Sequence, residues 1–144
     1  MNRVQNESYV CKCTENTGSN AWKCQIKHQF KQKNGWIKFL PKGSRIFNKN
    51  GTSVATIEPC IQNDGRTYDQ LILIDWMTGT YDCLTEGKFV VTQVLAHDEL
   101  LGKFYFIGTK ENSPGVRHLY SVDTWDRKNI ICLTCDLKVS KGQI

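Results

Sequence analysis

One run of residue types occurs twice in this chain, in the same order and roughly 50 residues apart. Gly51-Thr-Ser-Val-Ala-Thr-Ile is matched by Gly102-Lys-Phe-Tyr-Phe-Ile. Arg66 ahead of Leu71-Ile-Leu-Ile-Asp75-Trp76 is matched by Arg117 ahead of Leu119-Tyr-Ser-Val-Asp123, with Trp125 close behind. Each copy then turns and reaches the tripeptide Cys-Leu-Thr, at Cys83 to Thr85 and at Cys132 to Thr134. A repeat of about 40 to 50 residues holding about four strands is the pattern of a β-propeller blade. The second copy is the plainer one. In Leu100 to Asp123, Phe104, Phe106 and Gly108 point one way, and Tyr105 and Ile107 the other. Glu111 to Gly115 reads as a loop, and His118 to Val122 as the return strand.

The remaining segments fit around these two units. Residues 1 to 8 are polar and read as a disordered start. Cys13 and Cys24 flank a turn-rich insert, which predicts a hairpin with a cysteine on each arm, near enough to bridge. Gln25 to Lys31 is its departing strand. Trp36 to Leu40 is an apolar stretch stopped by Pro41, and Lys42 to Asn50 is polar apart from Ile46 and Phe47. Ser53 to Glu58 and Asp69 to Trp76 are the middle strands of the first unit, with Pro59 to Gly65 as the loop. The run Leu71-Ile-Leu-Ile predicts burial on both sheet faces. Thr80 to Thr85 is its outer strand. Lys88 to Ala96 and Asn129 to Thr134 are the inner and outer strands of the second unit. Residues 138 to 144 read as a tail. No stretch carries a capped 3.6-residue period, so no helix is expected.

Charge and cysteines bound the class. The net charge is +5, and the lysines are scattered, which describes a solvated basic surface and not a nucleic-acid stripe. Seven cysteines in 144 residues suggest an oxidising compartment. Two glycosylation sequons, Asn6-Glu-Ser and Asn50-Gly-Thr, agree with it. The polar start at Met1 lacks the apolar core of a signal peptide, and no run approaches a membrane span. Cysteines of secreted type without such a segment lead us to expect a piece of a longer protein.

Chemistry of catalytic type is sparse. Gly51-Thr-Ser53-Val-Ala lacks the second glycine of a hydrolase elbow and leads into a strand. His28, His97 and His118 have no sequence context that supports a triad, and no phosphate-binding or dinucleotide fingerprint is present. Catalytic residues, metal and cofactor are therefore expected to be absent. Cys132-Leu-Thr-Cys135 admits three readings: a redox pair, half a zinc site, or a local disulfide at a strand end. The turn favours the last, since no helix is predicted there and the other cysteine spacings fit no common zinc finger. The clusters Trp36/Phe39 and Phe104/Tyr105/Phe106 read as core between units before they read as ligand platforms.

Several of these residues together resemble a known family. Cys13 to Cys24 with Trp22 just before the second cysteine, then Gly35-Trp36-Ile37, then Pro114-Gly-Val-Arg-His-Leu-Tyr120, then Cys132-Leu-Thr-Cys135, resemble in that order the N-terminal propeller of dipeptidyl peptidase IV. Fibroblast activation protein and the inactive neuronal dipeptidyl-peptidase-like proteins share that pattern. The resemblance runs from Tyr9 to Leu137. It implies an eight-bladed propeller joined to an α/β-hydrolase domain, in a secreted or type II membrane glycoprotein whose active members release N-terminal dipeptides with proline or alanine second. The catalytic serine, aspartate and histidine would lie in the hydrolase domain, and the paired glutamates that hold the substrate amine earlier in the propeller.

Carried over by position, Cys13–Cys24 and Cys132–Cys135 resemble family disulfides. Cys83 matches a cysteine whose usual partner would stand near Ile74, where this chain has none. Cys11 and Cys60 then lack a role, and an odd total leaves at least one thiol unpaired. Phe39 resembles the aromatic that lines the outer substrate pocket. The expectation is an all-β chain: two four-stranded blades, a partial propeller over 9–137, plus an N-terminal hairpin. It would have no peptidase activity of its own. Its partners would be the remaining blades and the hydrolase domain, with peptide substrates and a homodimer in the full protein, on the extracellular face and without nucleic acid. Two rivals are a free-standing secreted binding module and a zinc-stabilised intracellular domain.

Overall fold

The computed structural model describes residues 4–18, 20–37, 44–127 and 129–137. It divides into two compact units, Met1–Leu40 and Pro41–Ile144. All regular structure among the described residues is β.

The first unit is a hairpin of β1 (Glu7–Glu15) and β2 (Trp22–Lys31). Cys13 stands directly opposite Cys24, and the two form a disulfide with Cα atoms 4.0 Å apart. The register slips once, between Val10 and Cys11. Strand β1 starts inside the segment read as disordered. The reason is local: Glu7 pairs with Lys31 at 2.8 Å, and Ser8 sits opposite buried Phe30.

The second unit holds two four-stranded antiparallel sheets. The first is β3 (Ile46–Phe47), β4 (Ser53–Ile61), β5 (Thr67–Asp75) and β6 (Thr80–Cys83), in that spatial order. The second is β7 (Val91–Asp98), β8 (Lys103–Lys110), β9 (Ser113–Asp123) and β10 (Ile130–Cys132), again in chain order. Strands β3, β4 and β5 lie against β7, so the inner strand of one sheet faces the other sheet. Val54, Ile57, Leu71, Ile72, Ile74 and Leu84 fill the core from the first sheet. Val91, Val94, Phe104, Phe106 and Val122 fill it from the second.

Both sheets are closed by the same atoms. The Leu84 amide donates to Leu71 O at 2.7 Å, and the Leu133 amide to Leu119 O at 2.8 Å. The Thr85 hydroxyl accepts from the Leu71 amide, and the Thr134 hydroxyl from the Leu119 amide, each at 3.0 Å. Cys-Leu-Thr therefore adds one rung to the outer strand and then covers the next free amide with a hydroxyl. Gly51 and Gly102, both at φ +61, make the matching turns at the other end. A residue with a Cβ is strained in that left-handed region.

Three boundaries differ from the sequence reading. Strand β4 runs on through Pro59 to Ile61; among the described residues β3 pairs with β4 at Val54 and Ala55 alone, so Pro59 has no described strand on that side and its missing amide leaves no described ladder bond unmade. The expected loop from Glu111 to Gly115 shrinks to a turn of Glu111 and Asn112. Asn112 takes φ +60, and a bulge at Thr109/Lys110 absorbs the extra residues of β9. The inner strand of the first sheet is only two residues long, because Asn48 turns the chain at once, its side-chain oxygen accepting from the Thr52 and Ser53 amides.

Candidate functional site

The connection from the first sheet to the second, Thr85 to Val90, is held by side chains. Gln70, on the central strand β5, is fully buried. Its amide nitrogen donates to Gly87 O at 3.2 Å and to Phe89 O at 2.8 Å. Its amide oxygen accepts from the Thr85 hydroxyl at 2.5 Å. Gln62, in the β4–β5 turn, accepts from the Gly87 amide at 2.9 Å. The Thr109 hydroxyl accepts from the Val90 amide, and the Val90 carbonyl accepts from the Thr109 amide, both at 2.9 Å. The connection is thus fixed at its start by side chains of the first sheet and at its end by Thr109 of the second.

At the opposite end, the β3–β4, β5–β6, β7–β8 and β9–β10 turns surround a cleft of about 340 Å³. Asn48, Leu73, Asp75, His97, Glu99 and Trp125 line it. The carboxylates there are engaged by turns. Asp75 accepts from the Met77 and Thr78 amides, and Glu99 accepts from the Lys49 amide. The His97 ring stacks on buried Phe104, with centroids 4.0 Å apart and planes within 8°. Loss of hydration holds its pKa below the ordinary histidine value, against the pull of Glu99 and Asp98. Arg127 reaches Asp82 of the first sheet at 3.0 Å.

The expected site residues fall as follows. Cys132 and Cys135 are disulfide-bonded, with Cα atoms 5.6 Å apart. Cys83 pairs with Cys60, and not with a residue near Ile74, at a Cα separation of 6.5 Å. This corrects the reading that left Cys60 without a role. Cys60 lies on β4 opposite Tyr68 of β5, and Cys83 lies on β6 opposite Ile72 of β5, so the bridge spans the central strand. Cys11 is an exposed free thiol. Asn50 is exposed in the β3–β4 turn, while Asn6 is half-buried just before β1. Phe39 lies outside the described residues. Phe104 and Phe106 are core, whereas Trp36 is 80% exposed. His28 packs edge-on to Phe30, and His118 lies 3.2 Å from the Thr134 hydroxyl. Gln62 and Gln70 were not singled out by sequence. The available signal was Gln70 itself, an uncharged polar residue at the head of a run expected to be buried on both faces.

Two stacked four-stranded antiparallel sheets, each closed by the same tripeptide, define the class: this is a piece of a β-propeller. The chain belongs to the family of dipeptidyl peptidase IV N-terminal regions, whose model matches residues 1–142. It is similar to inactive dipeptidyl peptidase 10 of Mus musculus, 28% identical over 140 residues, covering 94% of this chain and 17% of that protein. The Rattus norvegicus protein of the same name is 28% identical over 142 residues, covering 96% and 17%. Venom dipeptidyl peptidase 4 of Apis mellifera is 24% identical over 144 residues, covering 98% and 17%. The chain thus spans 17% of the length of these curated relatives.

Proposed function

We propose that the chain serves as a non-catalytic propeller portion of a dipeptidyl peptidase IV-like protein, forming part of the wall through which peptides reach a hydrolase domain. Two stacked sheets in series carry this reading, joined by a connection that Gln70 holds from the first sheet and Thr109 from the second, as a ring-forming wall requires. In an active parent the chemistry would be release of N-terminal dipeptides with proline or alanine second. Phe39 would touch the substrate, Asn6 and Asn50 would carry glycans, and the whole would face the extracellular side, with a homodimer as the assembled form.

A second reading makes the parent an inactive relative, favoured by the names of the mouse and rat proteins. Expression of the full-length parent decides between them. Release of a Gly-Pro dipeptide from a chromogenic conjugate supports the first, and a folded parent that releases none supports the second. A parent transcript with no serine elbow downstream of this chain would instead support the free-standing binding module. Glycan removal with a mass shift at Asn50 tests the location.

A further inference from the structure

We infer that His118, Cys132 and Cys135 form a zinc site that becomes available when the Cys132–Cys135 disulfide is reduced. A ring nitrogen of His118 and the two sulfurs lie within 4.8 Å of one another, and all three residues are half-buried. Two cysteines separated by two residues are the usual loop for wrapping one zinc ion, and imidazole is its usual companion. His118 Nδ1 lies 3.2 Å from Thr134 Oγ1, which itself accepts from the Leu119 amide. That hydroxyl orients the ring, the role a supporting hydrogen bond plays beside a metal-bound histidine.

The internal repeat makes the trio specific. In the first sheet the residue before Leu71 is Gln70, and the residue after Thr85 is Glu86. In the second sheet the same two positions hold His118 and Cys135. The connection-clamping glutamine and a surface acid are thus exchanged for two zinc ligands beside a cysteine that both copies keep. Cys83, the counterpart of Cys132, is tied to Cys60 across β5 and has no such neighbours.

The chemistry closes with an external dithiol as reductant. The dithiol gives two electrons and two protons to the protein disulfide and closes to its own disulfide, leaving two protein thiols. Zinc then replaces the two S–H protons, which pass to solvent, and takes the lone pair of the neutral imidazole. Water completes a four-coordinate ion.

The test uses the intact chain and His118→Gln, which installs the residue of the first sheet. After treatment with dithiothreitol and its anaerobic removal, cobalt(II) is titrated into both, followed by zinc. Reduced wild type is expected to bind one cobalt with a thiolate-to-cobalt charge-transfer band that zinc removes. His118→Gln should bind at least about tenfold more weakly. Equal cobalt binding before reduction, equal binding by the variant, or no charge-transfer band in reduced wild type overturns the proposal. Because reduction frees the other cysteines, alkylation by iodoacetamide with peptide mapping is the second measurement. Zinc should slow modification of Cys132 and Cys135 in wild type while leaving Cys13 and Cys24 unprotected. Equal modification of all four in the presence of zinc also overturns it.

Discussion

Single side chains hold the connection between the two sheets. Gln70 has no exposure and fills three hydrogen bonds, so truncation leaves the Thr85 hydroxyl and the Gly87 and Phe89 carbonyls without their partner. We expect Gln70→Ala to cost about 2–3 kcal/mol, read as a fall in the urea midpoint without a change in slope. A midpoint within error of wild type would show that the clamp is not formed. His97 gives a pH dependence. Its folded pKa is depressed, so the unfolded chain binds the proton more readily. The histidine contribution is whole above the ordinary value of about 6.5 and is lost as pH falls through that value toward the folded pKa. As pH falls below about 6.5, stability should therefore drop, and His97→Phe, which keeps the stack on Phe104, should flatten that part of the curve. An identical slope in the variant would remove His97 as the cause.

At the scale of strands, the Cys60–Cys83 bridge spans β5, with 23 residues of sequence separation. Loop closure of that size stabilises by about 3 kcal/mol, so Cys60→Ser should lower the unfolding free energy by about that amount. A loss well under 1 kcal/mol would mean that the bridge adds little to strands already in register. The two turn glycines offer an internal comparison. Each at φ +61 should cost about 1 kcal/mol on change to alanine. A Cβ on Gly51 meets open space, whereas one on Gly102 comes within 2.7 Å of Trp125 Nε1. Gly102→Ala should also shift the Trp125 fluorescence, and Gly51→Ala should leave it alone; the same shift from both would place Trp125 elsewhere.

Strand identities were legible because aromatic and β-branched residues cluster between glycine-bearing turns, as at Phe104 to Ile107. The boundaries were less so. Pro59 reads as a strand stop, yet β4 runs through it, and Asn112 turns the chain in two residues by taking the left-handed conformation that asparagine favours among residues with a Cβ, a signal lost in a stretch that also offers Ser, Pro and Gly. The Cys60–Cys83 pairing was hidden because it depends on which residues β5 brings within reach, and sequence spacing carries no trace of that. Gln70 reads as an ordinary strand residue until the carbonyls of Gly87 and Phe89 are placed beside it.

For the whole molecule, the account rests on two successive copies of one four-stranded sheet. That repeat was visible from Gly51, Gly102 and the paired Cys-Leu-Thr tripeptides, because the tripeptides make the same backbone bonds and the glycines take the same left-handed conformation in both copies. The most direct measurement is a set of interstrand nuclear Overhauser contacts on isotope-labelled protein. The account predicts Val54 opposite Ile74 and Ile72 opposite Cys83 in the first sheet, with Phe104 opposite Val122 and Tyr120 opposite Cys132 in the second. A one-residue slip in either sheet, or contacts that define only one of the two, would contradict it.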